Sequence, residues 1–314
     1  MIMFMSTIMM LSSMKWLMMW ITMEINLLMT IPFIFESKNK ESSEKIMIYF
    51  LTQTMASILF IMMIVSKYMF VNEFISKMIM SMSMMIKLGV PPFHMWMPEM
   101  VNKMNWMTTL IMITLQKINP MVVIMHLMDK NLMFPSILIL ASSIGSISGI
   151  NQLSLNKIMA FSSINHMSWM MMCNMINSQM WMKYFMMYTI INVTICVMFH
   201  LNKTYYINQV NMNNSMTMKM SMLLMMLNLG GMPPLPGFML KWMTMEMTMN
   251  SNLLFMMLTI MVLSSMITLL FYMRIMYFSM VLQSYTMKFM IVKSKNITLL
   301  MFLMNLITPL MVLI

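Results

Sequence analysis

Four charged residues stand inside apolar runs rather than at their ends. They are Glu24 in WITMEINLL, Lys87 in SMMIKLGVPP, Lys117 in ITLQKINP and Lys241 in GFMLKW. A charge at the centre of a membrane helix costs roughly 2.5–3.5 kcal/mol on insertion scales, so such residues face a bundle interior, pair with one another and mark ion paths. Carboxyl and amine groups exchange protons. Burial disfavours an ammonium, and a neighbouring carboxylate favours it. A Glu–Lys pair whose separation changes is therefore a switch of proton affinity. Any one of these lysines could instead snorkel to a headgroup from a turn or two inside a helix end. Three lysines beside helix-breaking prolines, with a buried glutamate available, favour a proton path.

The prolines give the lysines a reason. Pro91 and Pro92 follow Lys87, Pro120 follows Lys117, and GGMPPLPGFMLKW (230–242) places three prolines just before Lys241. Proline lacks a backbone donor and clashes with the carbonyl one turn back. A carbonyl freed at membrane depth is satisfied only by protein or by water in a cavity. Break and charge thus require the same polar interior. His166 is the best further relay candidate, since imidazole titrates near neutral pH. Ser142, Ser143, Ser146, Ser148, Ser162, Ser163, Asn165, Thr189, Asn192 and Thr194 could lengthen a path, although Ser and Thr more often serve helix packing in membranes. Arg274 reads as the anchor of a helix end and Glu246 as a charge near one. His94 and Glu99 in PPFHMWMPEM fall near an interface, with Trp96 as anchor.

These residues need helices to hold them. Of 314 residues, 61% are hydrophobic and 9% charged, against about 25% charged in soluble domains. The apolar runs are too long and too uniform for barrel strands, so the expected class is an all-α, polytopic membrane helix bundle. Runs fall at about 1–14, 17–35, 46–66, 74–92, 105–127, 133–150, 157–176, 181–201, 216–249, 253–282 and 297–314. That makes eleven helices if the short first run counts. They form one integral membrane domain over 1–314, with a core of about 17–282 and a C-terminal helix at 297–314. ESKNKESSEK (36–45) reads as a solvent loop.

The formal net charge is +11. Most lysines lie in short connections, where anionic phospholipids such as cardiolipin are the expected partners. No cluster is dense enough for a nucleic-acid arm. Cys173 and Cys196 form no motif, and no haem pair, zinc set or nucleotide loop is present in the sequence. The N-terminus has no charge before Lys15 and reads as mature sequence, not a cleavable signal. The 66 methionines are spread throughout as apolar filler. That spread fits an AT-rich animal mitochondrial genome reading ATA as methionine better than a metal transporter. With eleven helices, ten loop lysines (38, 40, 45, 103, 157, 203, 219, 288, 293 and 295) share one side and five (15, 67, 77, 130 and 183) the other. The ten-lysine side is expected to be the matrix or cytoplasm, with the N-terminus there and the C-terminus opposite.

EINLL (24–28), KLGVPPFHMWMPEM (87–100), QKINP (116–120), NQLSLNKIMAFSSINHMSWM (151–170) and GGMPPLPGFMLKW (230–242) occur in this order. In that order they closely resemble the subunit 2 family of animal mitochondrial NADH dehydrogenase, antiporter-like proton-pumping membrane subunits of respiratory complex I. The resemblance runs from about residue 16 to 282. It implies eleven helices, two of them interrupted, and a mitochondrial inner-membrane location. The family's buried glutamate falls on Glu24, its charge-pair lysine on Lys87, its central lysine on Lys117, and its lysine after the second break on Lys241. These imply a lateral chain of protonatable groups, with His166 as a possible addition. The resemblance also implies that this chain binds no cofactor: NADH, FMN, iron–sulfur clusters and ubiquinone would belong to other subunits. Neighbouring antiporter-like and other membrane-arm subunits would be its partners. The family often has alanine where this sequence has an extra proline in KLGVPPF. A cation/proton antiporter subunit outside a redox complex is the alternative.

Overall fold

The computed structural model describes residues 1–35, 40–66, 72–102, 104–127, 133–176, 180–211, 216–249 and 252–281. The C-terminal helix expected at 297–314 lies outside them. The described residues are helical, with a single isolated bridge between Ser154 and Tyr206. The fold divides into two compact units at residues 137/138.

The first unit contains α1 (Ile2–Ser12), α2 (Trp16–Ile34), α3 (Lys40–Ser66), α4 (Glu73–Leu88), α5 (Trp96–Asn102), α6 (Trp106–Ile113) and α7 (Leu115–Leu127). Here α2 packs on α1, α3 and α7, α4 packs on α3 and α7, and α5 packs on α3. The division falls within α8 (Met133–Ile150). The second unit continues with α9 (Leu155–Ile176), α10 (Met180–Asn202), α11 (Met216–Gly230), α12 (Pro236–Thr248) and α13 (Asn252–Val281). In it α12 packs on α9, α10, α11 and α13. By length and composition, Trp16–Ile34, Ser43–Ser66, Trp106–Leu127, Met180–Asn202 and Phe255–Phe278 could each cross a membrane. Many of their outward side chains are large and apolar, including Leu28, Met55, Met62, Leu263 and Leu270. Lipid accepts such a surface, whereas water penalises it.

Two expectations are corrected. The segment 36–45 is not all loop, because α3 begins at Lys40. Glu and Lys are good helix formers, and α3 extends through them beyond the apolar run. The second correction concerns the break near Lys117. It falls not at Pro120, which sits inside α7, but at Thr114. The Thr114 hydroxyl donates to Leu110 O at 2.7 Å, the local side-chain bond that competes with and bends a helix.

Candidate proton-relay site

In the first unit the site is built on the frayed end of α4. Gly89 ends this helix in the left-handed region (φ 65°), with its N–H on Ile86 O, the usual role of glycine past a helix C-terminus. Val90 N–H turns back to Met85 O. Pro91 has no N–H, so the Lys87 carbonyl loses its helical donor. Gln53 of α3 replaces it, donating from Nε2 at 3.2 Å. Trp96 of α5 donates its indole N–H to Ile86 O at 3.1 Å. The expected interface anchor therefore also caps a helix. Along α2, Glu24 and Met23 face Lys87. Lys87 Nζ lies 3.9 Å from Glu24 Oε1 and 3.8 Å from Met23 Sδ. The Lys87 side chain is 3% exposed and that of Glu24 is 26%. The Glu24 side chain is thus the more exposed of the two, although the Oε1 that faces Lys87 is buried.

Lys117 lies in the first turn of α7, at 2% exposure. Among the described residues its Nζ has no hydrogen-bond partner, and neither does the Asn119 amide. A proton gained or lost at Lys117 breaks no bond to the protein. Its neighbour Gln116 is held firmly. Gln116 Oε1 accepts from the Tyr49 hydroxyl at 3.1 Å and from Asn26 Nδ2 at 3.3 Å. Gln116 Nε2 donates back to Asn26 Oδ1 at 3.3 Å. Thr30 Oγ1 lies 2.9 Å from the Tyr49 hydroxyl.

In the second unit, GGMPPLPGFMLKW forms the junction between α11 and α12. The N–H groups of Gly231 and Met232 fold back onto Leu227 O, and Pro236 opens α12 at its first turn, where a missing N–H is harmless. Pro234 cannot donate to Gly230 O, the carbonyl one turn back. Lys241 does so instead, from Nζ at 2.7 Å, while itself only 2% exposed. Both an ammonium and a neutral amine carry N–H, so this bond survives a change of protonation state. Asn228 Oδ1 accepts from Gly237 N–H at 2.6 Å, tying the two half-helices together.

His166 is buried on α9, its Nδ1 2.9 Å from the Tyr184 hydroxyl and its ring centroid 5.0 Å from that of Tyr188. Tyr184 also lines a small cavity with Cys173, Lys183 and Thr244. Ser142, Ser162, Ser163, Thr189 and Thr194 each donate to a carbonyl three residues back in their own helix. Arg274 does anchor a helix end, and it is the end of α8, through Ile150 O and Gln152 O. Glu246 is exposed near the end of α12.

Of the four charged candidates, the structure brings Glu24 and Lys87 together. Among the described residues it leaves Lys117 Nζ without a hydrogen-bond partner and gives Lys241 Nζ a backbone one. Gln53, Asn26, Tyr49 and Tyr184 were missed from sequence. The missing N–H of Pro91 signals that Lys87 O needs a donor, but no spacing rule reaches back 34 residues to Gln53.

A family model described as NADH:quinone oxidoreductase/Mrp antiporter, TM, matches residues 13–268. NADH-ubiquinone oxidoreductase chain 2 of Anopheles gambiae is 40% identical over 281 residues, 86% of this chain and 82% of that protein. Chain 2 of Ovis aries is 36% identical over 284 residues, covering 86% and 81%. A chain of respiratory complex I from Thermus thermophilus with bound aureothin superposes with a TM-score of 0.83 at 16% identity, over 97% of this chain and 75% of that one. A chain of the Mrp complex from Dietzia sp. gives a TM-score of 0.80 at 13% identity, over 88% and 59%. The two structures share the antiporter-like fold. At 36–40% identity over most of both lengths, the chain belongs to the NADH-ubiquinone oxidoreductase chain 2 family, within the NADH:quinone oxidoreductase/Mrp antiporter membrane subunits.

Proposed function

We propose that this chain is a core membrane subunit of a proton-pumping NADH:ubiquinone oxidoreductase, moving protons through a buried Glu/Lys relay driven by quinone reduction elsewhere in the complex. The observation that carries the reading is Lys87. It is buried, 3.9 Å from a carboxylate, in a helix end whose freed carbonyls other side chains satisfy. Each proton moved against the potential requires about 2.3 kcal/mol per 100 mV, so a site must change its proton affinity during the cycle. Glu24 sets the affinity of Lys87. Lys117 stores or relays the proton. Lys241 passes it toward the exit or a neighbouring subunit, and His166, bonded to Tyr184, is a further relay group.

The chain holds no redox centre: NADH, FMN, iron–sulfur clusters and ubiquinone are handled by other subunits. It sits in the mitochondrial inner membrane as one integral domain, against other membrane-arm subunits and anionic phospholipids. With the 7-residue α5 left aside as too short to cross, and with α6–α7 and α11–α12 each taken as one interrupted span, the reading has ten crossings among the described residues and an eleventh expected at 297–314. The N-terminus faces the matrix and the C-terminus the intermembrane space. The rival reading is a cation/proton antiporter outside a redox complex, which predicts purification without NADH-oxidising partners.

The test is Lys117→Met in the assembled complex. Quinone-coupled turnover and proton pumping fall at least roughly tenfold, a modest share of what a positioned acid–base group contributes. NADH oxidation by a soluble acceptor persists. A normal proton-to-electron ratio in the assembled mutant overturns the relay.

A further inference from the structure

α3 bears none of the charged relay candidates, yet it touches the flanks of two. Tyr49 and Gln53 stand four residues apart on one face of α3, both buried. Gln53 donates to the backbone carbonyl of Lys87 itself. Tyr49 donates to the side chain of Gln116, the residue preceding Lys117. Both targets sit where a helix has lost its own restraints. Lys87 O is freed by Pro91, and α7 starts after the break at Thr114. Two adjacent turns of one helix thus grip the end of α4 and the start of α7.

The grip is stiff. The Tyr49 ring packs against Trp96, centroids 6.4 Å apart, and the Trp96 indole holds Ile86 O on the same helix end. Tyr49 also lies in a buried apolar cluster with Leu27, Ile34, Met100, Met104 and Met112. On its far side Gln116 is doubly bonded to Asn26, two residues after Glu24. Both polar atoms of the half-buried Gln116 amide have a partner, and such paired contacts favour one geometry.

We propose that Tyr49 and Gln53 are positioning residues that lock the α4 end bearing Lys87 to the α7 start bearing Lys117, so that a change in the Glu24–Lys87 pair is transmitted to Lys117. The proposal rests on the relay reading of the two lysines. Neither residue exchanges protons in it. They act through the backbone of Lys87 and the side chain of Gln116.

Tyr49→Phe removes one oxygen and keeps the ring on Trp96. Gln53→Met removes the donor at similar volume. Each is measured in the assembled complex beside Lys117→Met, with NADH oxidation by a soluble acceptor reporting assembly. The expected result is a roughly two- to tenfold fall in quinone-coupled pumping for each, the worth of one buried hydrogen bond, with a lowered proton-to-electron ratio. The double variant should lose less than the product of the two, because breaking either hold already releases the bracket. A merely structural role would lower the amount of complex and leave that ratio intact. Normal ratios in Tyr49→Phe and Gln53→Met beside a defective Lys117→Met overturn the bracket alone. A normal Lys117→Met overturns the relay reading itself. If Tyr49→Phe blocks assembly, the ratio in Gln53→Met decides; if Gln53→Met blocks it, amide exchange at Thr114–Lys117 in assembled Tyr49→Phe decides: acceleration supports the bracket, and an unchanged rate overturns it.

Discussion

Lys241 has two duties that a single substitution would confound. It donates to Gly230 O, which Pro234 deprives of a backbone donor, and it is the proposed proton carrier of its unit. Substitutions that differ in only one of these properties separate them. Methionine removes both donor and charge, and leaving a buried carbonyl unpaired costs about 1–3 kcal/mol. Arginine keeps donors but does not release a proton in proteins. Lys241→Met is expected to lower both the yield of assembled complex and its pumping. Lys241→Arg is expected to keep assembly and lose pumping. Native gels and proton-to-electron ratios on the two variants check this, and a pumping Lys241→Arg enzyme would refute proton exchange at this site.

At the scale of elements, breaks are positioned as closely as helices are. Gly237 shows how little room the α11–α12 junction has. A Cβ there would lie 1.8 Å from Asn228 O, a backbone atom that cannot swing aside. Gly237→Ala is therefore expected to separate the half-helices, cost more than the ~1–3 kcal/mol of ordinary overpacking, and abolish accumulation of the subunit in the membrane. Immunoblotting of the membrane fraction reads this directly, and a normal level of Gly237→Ala would contradict the packing described. Much of this scale was legible in sequence. The apolar runs mark α2, α4, α8, α9, α10 and α13 to within a few residues, because lipid demands continuous apolar helices. The joint at Gly230–Pro236 follows from proline's missing donor. The joint at Thr114 was not legible, because a hydroxyl bond to Leu110 O looks in sequence like any other threonine in a helix. The Gln53 and Tyr49 contacts were hidden for a different reason. They depend on which faces of α3, α4 and α7 meet, and periodicity says little in helices with as weak an apolar face as α3 and α7.

For the whole molecule, the distribution of charge argues an orientation. α2 has 19 residues, about 28 Å at 1.5 Å per residue, close to the ~30 Å hydrocarbon core. The proposed topology then puts Lys15, before α2, and Lys38, after it, on opposite sides. α1, with 11 residues, is about 16 Å long and bears only on where the N-terminus emerges. The division of loop lysines into ten and five is independent of it. The positive-inside rule assigns the Lys38 side to the matrix. Residue 38 lies outside the described residues, and Lys15 is exposed between α1 and α2. The native thiols suit a labelling test, since Cys173 and Cys196 are 2% and 0% exposed. A membrane-impermeant maleimide added to mitoplasts is expected to label Lys15→Cys and to spare Lys38→Cys. In inside-out vesicles the pattern should reverse. Labelling of Lys38→Cys in intact mitoplasts would invert the molecule and place the ten lysines against the intermembrane space.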